Sequence, residues 1–131
     1  MLDLKSLRNL LKRVESVNVR SKKFNLKWVK NVLEIRKFVS DFEQAIKPDR
    51  EFELYLEQYQ KAKGNEKINV KKAFKSAINR HKEKLKKVSE IFSNRPLNLE
   101  EFTIDELPSS IDTKTLKLLY ELGLIKEEEK K

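Results

Sequence analysis

Cysteine is absent from this chain, and glycine (2), proline (3), histidine (1) and tryptophan (1) are scarce among its 131 residues. Without cysteine the chain has no disulfide framework, no thiolate zinc site and no cysteine nucleophile. The shortage of glycine and proline favours long helices over an all-β or loop-rich fold. No apolar run approaches the roughly 18 residues that a membrane span requires, and no signal peptide opens the chain. We therefore expect a soluble, cytoplasmic protein.

Charge is plentiful and unevenly distributed. Charged residues make up 39% of the chain and apolar residues 38%, against roughly 25% and 45–50% in typical soluble domains. Residues 1–95 hold 25 Lys and Arg against 12 Asp and Glu, whereas residues 96–131 hold 5 against 9. Either the basic part binds a polyanion, or the acidic segment folds back on it. The abundance of Lys and Glu is compatible with a thermophilic source, although an AT-rich genome produces the same bias.

An apolar pattern with helical spacing dominates residues 26–46. Side chains that step by four and three residues form one seam, namely Trp28, Val32, Ile35, Val39, Phe42 and Ile46. Leu26, Val29 and Leu33 lie beside this seam. A helix that is apolar over most of its circumference packs against neighbours on several sides, so we predict that 26–46 is the central helix of a bundle.

A second seam of the same kind runs through residues 70–93. Its members are Val70, Phe74, Ala77, His81, Leu85, Val88 and Phe92. Two seams of similar length in a short chain predict an antiparallel pair of helices. We therefore predict a mainly α fold, a bundle of four to five helices in which 70–93 is the partner of the central helix.

Shorter elements complete the predicted fold. Further helices are expected within residues 2–15, 49–63 and 113–122, and N-caps at Asp3, Asn25, Asn69 and Asp112. Residues 64–69 form the clearest loop, and Gly64 is suited to a left-handed helix end. Alternation of apolar and polar residues near 17–19 and 97–104 leaves open a minor β-hairpin.

The domain organisation follows from these elements and from the charge. We predict one helical domain over residues 1–131. Its parts are a basic bundle (1–95), an acidic, apolar C-terminal segment (96–125) and a frayed tail (126–131).

Basic residues form two concentrations that suit a phosphate backbone. The first is a lysine row on the predicted 70–93 helix, and the second precedes the central helix; together they comprise Lys71, Lys72, Lys75, Lys82, Lys86, Arg20, Lys22, Lys23 and Lys27. If Trp28 and Phe24 were exposed, they could stack on bases, but both also fit an apolar core. Lysine in place of arginine argues against base-specific recognition. The alternative is that these lysines are ordinary solvated surface.

The C-terminal segment offers a different kind of surface. It combines a high apolar density with acidic residues, and its docking candidates are Leu116, Leu119, Leu122, Leu124 and Ile125. A helix with leucines at i, i+3 and i+6 suits a groove on a partner protein. The other interpretation is that the segment caps the core of the bundle.

Enzyme chemistry has few candidates. The single histidine, His81, occupies a seam position without a converging carboxylate or hydroxyl, which is typical of a structural side chain. The sequence contains no glycine-rich phosphate loop, no HExxH motif and no acidic cluster at metal-ligand spacing. We expect no catalysis, no cofactor or metal, no small-molecule substrate and no membrane contact.

Several stretches together carry a resemblance to a known class of proteins: LDLKSLRNLLKRV, VRSKKFNLKWVK, REFELYLEQY, GNEKIN and IDELPSSIDTKTLKLL. Their order resembles the small, mostly helical proteins of unknown function that are encoded among the structural and assembly genes of tailed phages. The resemblance implies a non-enzymatic accessory role in a larger assembly, with other protein subunits as partners, in self or heteromeric contact, and a location in the virion or host cytoplasm. The alternative is a basic helical module that binds nucleic acid without sequence preference.

Overall fold

A computed structural model describes residues 2–126 and shows a mainly helical protein. The elements in chain order are α1 (Leu4–Glu15), α2 (Lys22–Ala45), α3 (Arg50–Lys61), α4 (Glu66–Ala73), α5 (Lys75–Ser93), β1 (Phe102–Thr103), a 3₁₀ turn (Ile104–Glu106), α6 (Thr113–Glu121) and β2 (Ile125–Lys126). The predicted fold class is therefore confirmed. Of the predicted frayed tail, only Lys126 lies among the described residues, and it pairs in β2.

The described chain forms two compact units, and the division between them falls inside α2. One unit contains Phe42–Arg95 together with Leu2, and the other contains Asp3–Asp41 and the segment from Pro96 onward. We call them the α3–α5 unit and the α1–α2 unit. A single domain over the whole chain stays a prediction.

Several helices begin at the predicted places, where an aspartate side chain caps the N-terminus of the helix. Asp3, Asp49 and Asp112 each accept a hydrogen bond from the backbone N–H three residues later, at 2.8, 2.8 and 3.2 Å. These bonds satisfy N–H groups that have no partner within the helix. The predicted cap at Asn25 is wrong: α2 begins three residues earlier, where the Ser21 hydroxyl accepts from the Phe24 N–H at 3.2 Å.

The α3–α5 unit corrects the prediction of one helix over 70–93. Phe74, with φ −106° and ψ 20°, stands between α4 and α5, outside the helical region. Because α4 starts at Glu66, Asn69 lies inside a helix and caps nothing. The second seam contacts two helices in this unit: His81 stacks on Phe52 of α3 at 4.0 Å between ring centroids, and Phe92 meets Phe42 of α2 edge-on at 5.4 Å.

In the α1–α2 unit, the segment after Pro96 builds a small parallel sheet. Phe102 pairs with Ile125 and Thr103 with Lys126. The β-hairpin left open for 17–19 and 97–104 is therefore not the pairing that forms: β1 pairs with a strand at the end of the described chain. Parallel strands need a crossover, and α6 supplies it. Gly123, at φ 67°, ends α6 and lets the Leu124 N–H reach the Leu119 carbonyl at 2.9 Å.

The core of the α1–α2 unit is an aromatic stack. Phe24 lies 4.8 Å from Phe102 and 5.9 Å from Trp28, measured between ring centroids, and all three side chains are buried. The Trp28 Nε1–H donates to the Val14 carbonyl at 3.1 Å, which ties α2 to the end of α1. Asn31, also fully buried, joins α2 to the segment before β1. One side of α2 is therefore covered within this unit.

Candidate functional site

An apolar stripe lies on the uncovered side of α2. It consists of Leu26, Val29 and Leu33, whose exposed fractions are 64%, 53% and 54%. At about 100° per residue, Leu33 and Leu26 lie about 160° and 180° around the helix from the buried Ile35. The prediction that α2 packs on several sides is therefore wrong for this side, since three large apolar residues there face solvent.

The seam itself is placed as predicted. Trp28, Ile35, Val39 and Phe42 are buried, and Val32 and Ile46 are half-buried. The exposed stripe is thus separate from the core. Exposed apolar residues scattered singly need no explanation, but three at i, i+3 and i+7 form a continuous row along one helix.

A groove lies beside the stripe and shares Val29 with it. The groove encloses about 440 Å³ and runs between the chain after α1 and one side of α2. Val17 and Val32 give it an apolar floor, while Asn18 and Arg36 line it with polar groups. A ridge of apolar side chains next to an open groove is a shape that accepts a helix of another protein.

Basic residues flank the stripe. Lys22, Lys30 and Lys37 lie within about 60° of Leu33 around the helix, and all are exposed. Lys30 is 3.8 Å from a Glu100 carboxylate oxygen, and Arg36 is 3.3 Å from one of Glu15. Among residues 2–126, Lys22 and Lys37 take part in no salt bridge. The stripe is therefore bordered by positive charge.

The predicted lysine row is divided by the break at Phe74. Lys75, Lys82 and Lys86 share one face of α5 over roughly 16 Å, whereas Lys71 and Lys72 belong to α4. All five lysines are exposed, and none forms a salt bridge within residues 2–126. Lys71 also lies over the Tyr59 ring, with its Nζ 5.4 Å from the centroid. The five lysines therefore do not form the single continuous row that the sequence predicted.

The basic residues near the start of α2 differ in their exposure and in their contacts. Arg20, Lys22 and Lys23 are exposed. Lys27 instead donates to the Glu101 carbonyl at 2.7 Å and to a Glu106 carboxylate oxygen at 2.8 Å. Its ammonium group is thus bound by acceptors of the protein itself. Trp28 and Phe24 are buried at 4% and 1% exposure, so they belong to the core and offer no surface for base stacking.

Lys27 and Thr103 hold the Glu106 carboxylate in an unusual environment. The hydrogen bond from Lys27, followed by the one from the Thr103 N–H at 3.0 Å, lowers the pKa of Glu106 from 4.5 to about 2. A carboxyl group whose pKa is lower in the folded than in the unfolded state stabilises the folded protein above its unfolded-state pKa. That stabilisation is lost as the pH falls from about 4.5 to about 2.

The variant Glu106→Gln is therefore expected to weaken the pH dependence of the unfolding free energy in this window. Urea denaturation at a series of pH values measures it. Lys27→Gln should keep the carboxyl group but raise its pKa in the folded protein, so the loss of stability on acidification should be smaller and should end at a higher pH than in the wild type. An unchanged pH profile in both variants would contradict the assignment.

The C-terminal leucines belong largely to the core. Leu119 is fully buried and Leu124 is 3% exposed, while Leu116, Leu122 and Ile125 are half-buried. Among the large hydrophobic side chains of α6, Tyr120 is exposed, at 59%. This burial favours the interpretation in which the C-terminal segment caps a core over the one in which it docks a partner.

His81 is half-buried against Phe52 in the α3–α5 unit. Burial lowers the pKa of His81 below 6.5, and nearby Lys84 acts in the same direction, while Asp49 raises it. The stacked ring fits the structural role that the sequence indicated. Within residues 2–126 no group of three or more His, Cys, Asp or Glu is placed to hold a metal ion.

Comparison with protein-family models, with curated proteins and with solved structures finds no match. Over residues 2–126, no helix is both long enough and apolar enough to span a bilayer.

The sequence analysis did not predict the exposed stripe on α2, because its three residues were assigned to sides of the central helix that pack against neighbouring helices. The signal that could have found them is their position next to Lys30 and Lys37, on the side opposite Ile35.

Proposed function

We propose that the protein is a non-enzymatic accessory protein that binds another protein through α2, as a subunit of a larger assembly. The observation that supports this is the exposed stripe of Leu26, Val29 and Leu33 on a helix whose other side is buried. Solvent-facing apolar rows on small proteins are typical of interaction surfaces. In line with the resemblance to phage proteins, we propose that the assembly is viral.

A photo-crosslinking experiment tests this proposal. A photoreactive amino acid replaces Val29, at 53% exposure, or Leu56 of α3, at 46% exposure, as a matched control. In cells that naturally contain the protein, irradiation should give a discrete protein adduct from position 29 that nuclease treatment leaves intact. Adducts of equal yield from both positions, or from neither, would contradict a binding surface on α2.

A second candidate function is binding of nucleic acid without sequence preference. The observation that favours it is the set of five exposed lysines on α4 and α5 without carboxylate partners among residues 2–126. Each lysine that neutralises a phosphate releases counterions, so affinity falls with rising salt. This surface would be independent of the stripe on α2.

The charge-neutralised variant Lys71→Gln, Lys75→Gln, Lys82→Gln and Lys86→Gln tests this second function. If the lysines contact phosphates, the slope of log affinity against log salt should shrink by about 0.7–0.9 per lost contact. Fluorescence anisotropy of a labelled oligonucleotide measures it. Lys5→Gln, Lys12→Gln, Lys114→Gln and Lys117→Gln removes the same charge from α1 and α6 and is the control. Absence of binding at about 50 mM salt would exclude this function.

A further inference from the structure

We infer that the partner segment on α2 is an acidic amphipathic helix. The inference rests on the proposed function and specifies its partner. The apolar stripe spans Leu26 to Leu33, and the basic positions around it extend from Lys22 to Lys37, a length of roughly 22 Å along the helix axis. A partner helix of about 15 residues covers that length.

Shape favours a helix as the occupant. A helix presents apolar side chains at i, i+3, i+4 and i+7, which match the spacing of the stripe. Val29 stands at the boundary between the stripe and the groove of about 440 Å³, so a helix lying along α2 can place side chains on both. Val17 and Val32 in that groove supply apolar contact beyond the stripe itself.

Charge determines which helix fits. Lys22, Lys30, Arg36 and Lys37 surround the stripe. Glu100 and Glu15 already face Lys30 and Arg36, and Glu34 lies within about one turn of both Lys30 and Lys37 on α2. The four cations still outnumber these three carboxylates, and Lys22 and Lys37 form no salt bridge among residues 2–126. A partner with Asp or Glu beside its apolar row places opposite charges across the contact, which increases both association rate and specificity. The partner helix is therefore acidic on both flanks.

The same charges disfavour a second copy of this chain on the stripe. A two-fold related pair brings the same patch of both subunits together, so Lys22 and Lys37, which form no salt bridge among residues 2–126, would face the same two residues of the other copy. Like charges placed opposite each other across an interface are unfavourable. The test below therefore distinguishes self-association through the stripe from binding of an acidic helix.

The test uses the full chain and a synthetic helix as probe. The probe is a labelled peptide of about 18 residues with Leu at i, i+3, i+4 and i+7 and Glu on both flanks, and a twin peptide carries Lys in place of Glu. Fluorescence anisotropy should show binding of the acidic peptide at micromolar concentration, about tenfold or more tighter than the twin, and weakening as salt rises.

Matched variants locate the binding site. Leu26→Gln with Leu33→Gln should weaken binding of the acidic peptide by about tenfold or more, because two apolar contacts are lost. Leu54→Gln with Leu56→Gln makes the same chemical change at residues that are 42% and 46% exposed on α3, and should leave affinity within about twofold. Lys30→Gln with Lys37→Gln keeps the stripe and should weaken binding through charge alone.

Three results would overturn the inference. They are equal affinity for the acidic and basic peptides, full binding by the Leu26→Gln and Leu33→Gln variant, and a wild-type dimer in sedimentation equilibrium that this variant dissociates. If position 29 still gives adducts to a different protein, any of these would remove the acidic helix but leave the proposed function standing. Loss of those adducts as well would remove both.

Discussion

Asn31→Ala is expected to lower the free energy of unfolding by about 2–4 kcal/mol. The Asn31 side chain is fully buried, and its amide group bonds to both backbone groups of one residue. Its Nδ2–H donates to the Glu100 carbonyl at 3.0 Å, and the Glu100 N–H donates to Oδ1 at 2.6 Å. Alanine leaves two backbone groups without partners and also leaves a cavity.

Urea denaturation followed by the fluorescence of Trp28, which lies in the same unit, measures this effect. Asn31→Asp separates the two bonds, because it keeps an acceptor for the Glu100 N–H but replaces the donor to the Glu100 carbonyl. Asn9→Ala, at an exposed position of α1, is the control and should change stability by less than about 0.5 kcal/mol. An equally small effect for Asn31→Ala would show that the paired bonds contribute little.

Phe102→Ala is expected to cost about 3–5 kcal/mol of unfolding free energy. Phe102 is fully buried, stacks on Phe24 at 4.8 Å and lies 6.3 Å from Trp28. The Lys27 ammonium also sits 5.1 Å from its ring centroid. Because Phe102 is one of the two residues of β1, its truncation removes core volume at the point where the parallel sheet joins α2.

Thermal and urea unfolding of Phe102→Ala check this expectation, with Ile104→Ala as the control two residues further along. Ile104 is 59% exposed, so its truncation should cost less than about 1 kcal/mol. A change in Trp28 fluorescence should accompany Phe102→Ala, since the indole loses a neighbouring ring. Equal stability of the two variants would mean that β1 does not complete the core.

Local signals allowed the helices to be predicted. Asp3, Asp49 and Asp112 mark helix starts because their side chains accept bonds from nearby N–H groups, a property of the residue itself. The seam through Ile35 and Phe42 is buried because periodicity alone places those side chains on one face.

Other features depend on residues far apart in the chain. Nothing in the local sequence separates α4 from α5, since Phe74 is neither glycine nor proline. The parallel pairing of Phe102 with Ile125 requires the crossover through α6, and a propensity for extended structure does not identify a partner. The alternating residues near 97–104 therefore suggested a hairpin with the wrong neighbour.

Side-chain roles in the candidate sites were the hardest to predict. Lys27 looks like any other lysine of the basic stretch, yet it bonds to Glu106, 79 positions away. Leu119 and Leu124 look like docking residues in the sequence, but both are buried in the folded protein. Whether an apolar residue near a seam is covered depends on how many neighbours surround the helix. For α2, the sequence pattern predicted packing on more sides of the helix than the structure shows.

The proposed binding surface requires that the apolar stripe of α2 be open to solvent, and NMR with a soluble paramagnetic agent tests this directly. In methyl-labelled protein, the agent should strongly broaden the signals of Leu26, Val29 and Leu33, which are more than half exposed. The methyl groups of Leu119 and Leu124, both buried, provide the protected reference. A large difference in broadening between the two sets of methyl signals is expected. Protection of Leu26 and Leu33 equal to that of Leu119 would contradict it.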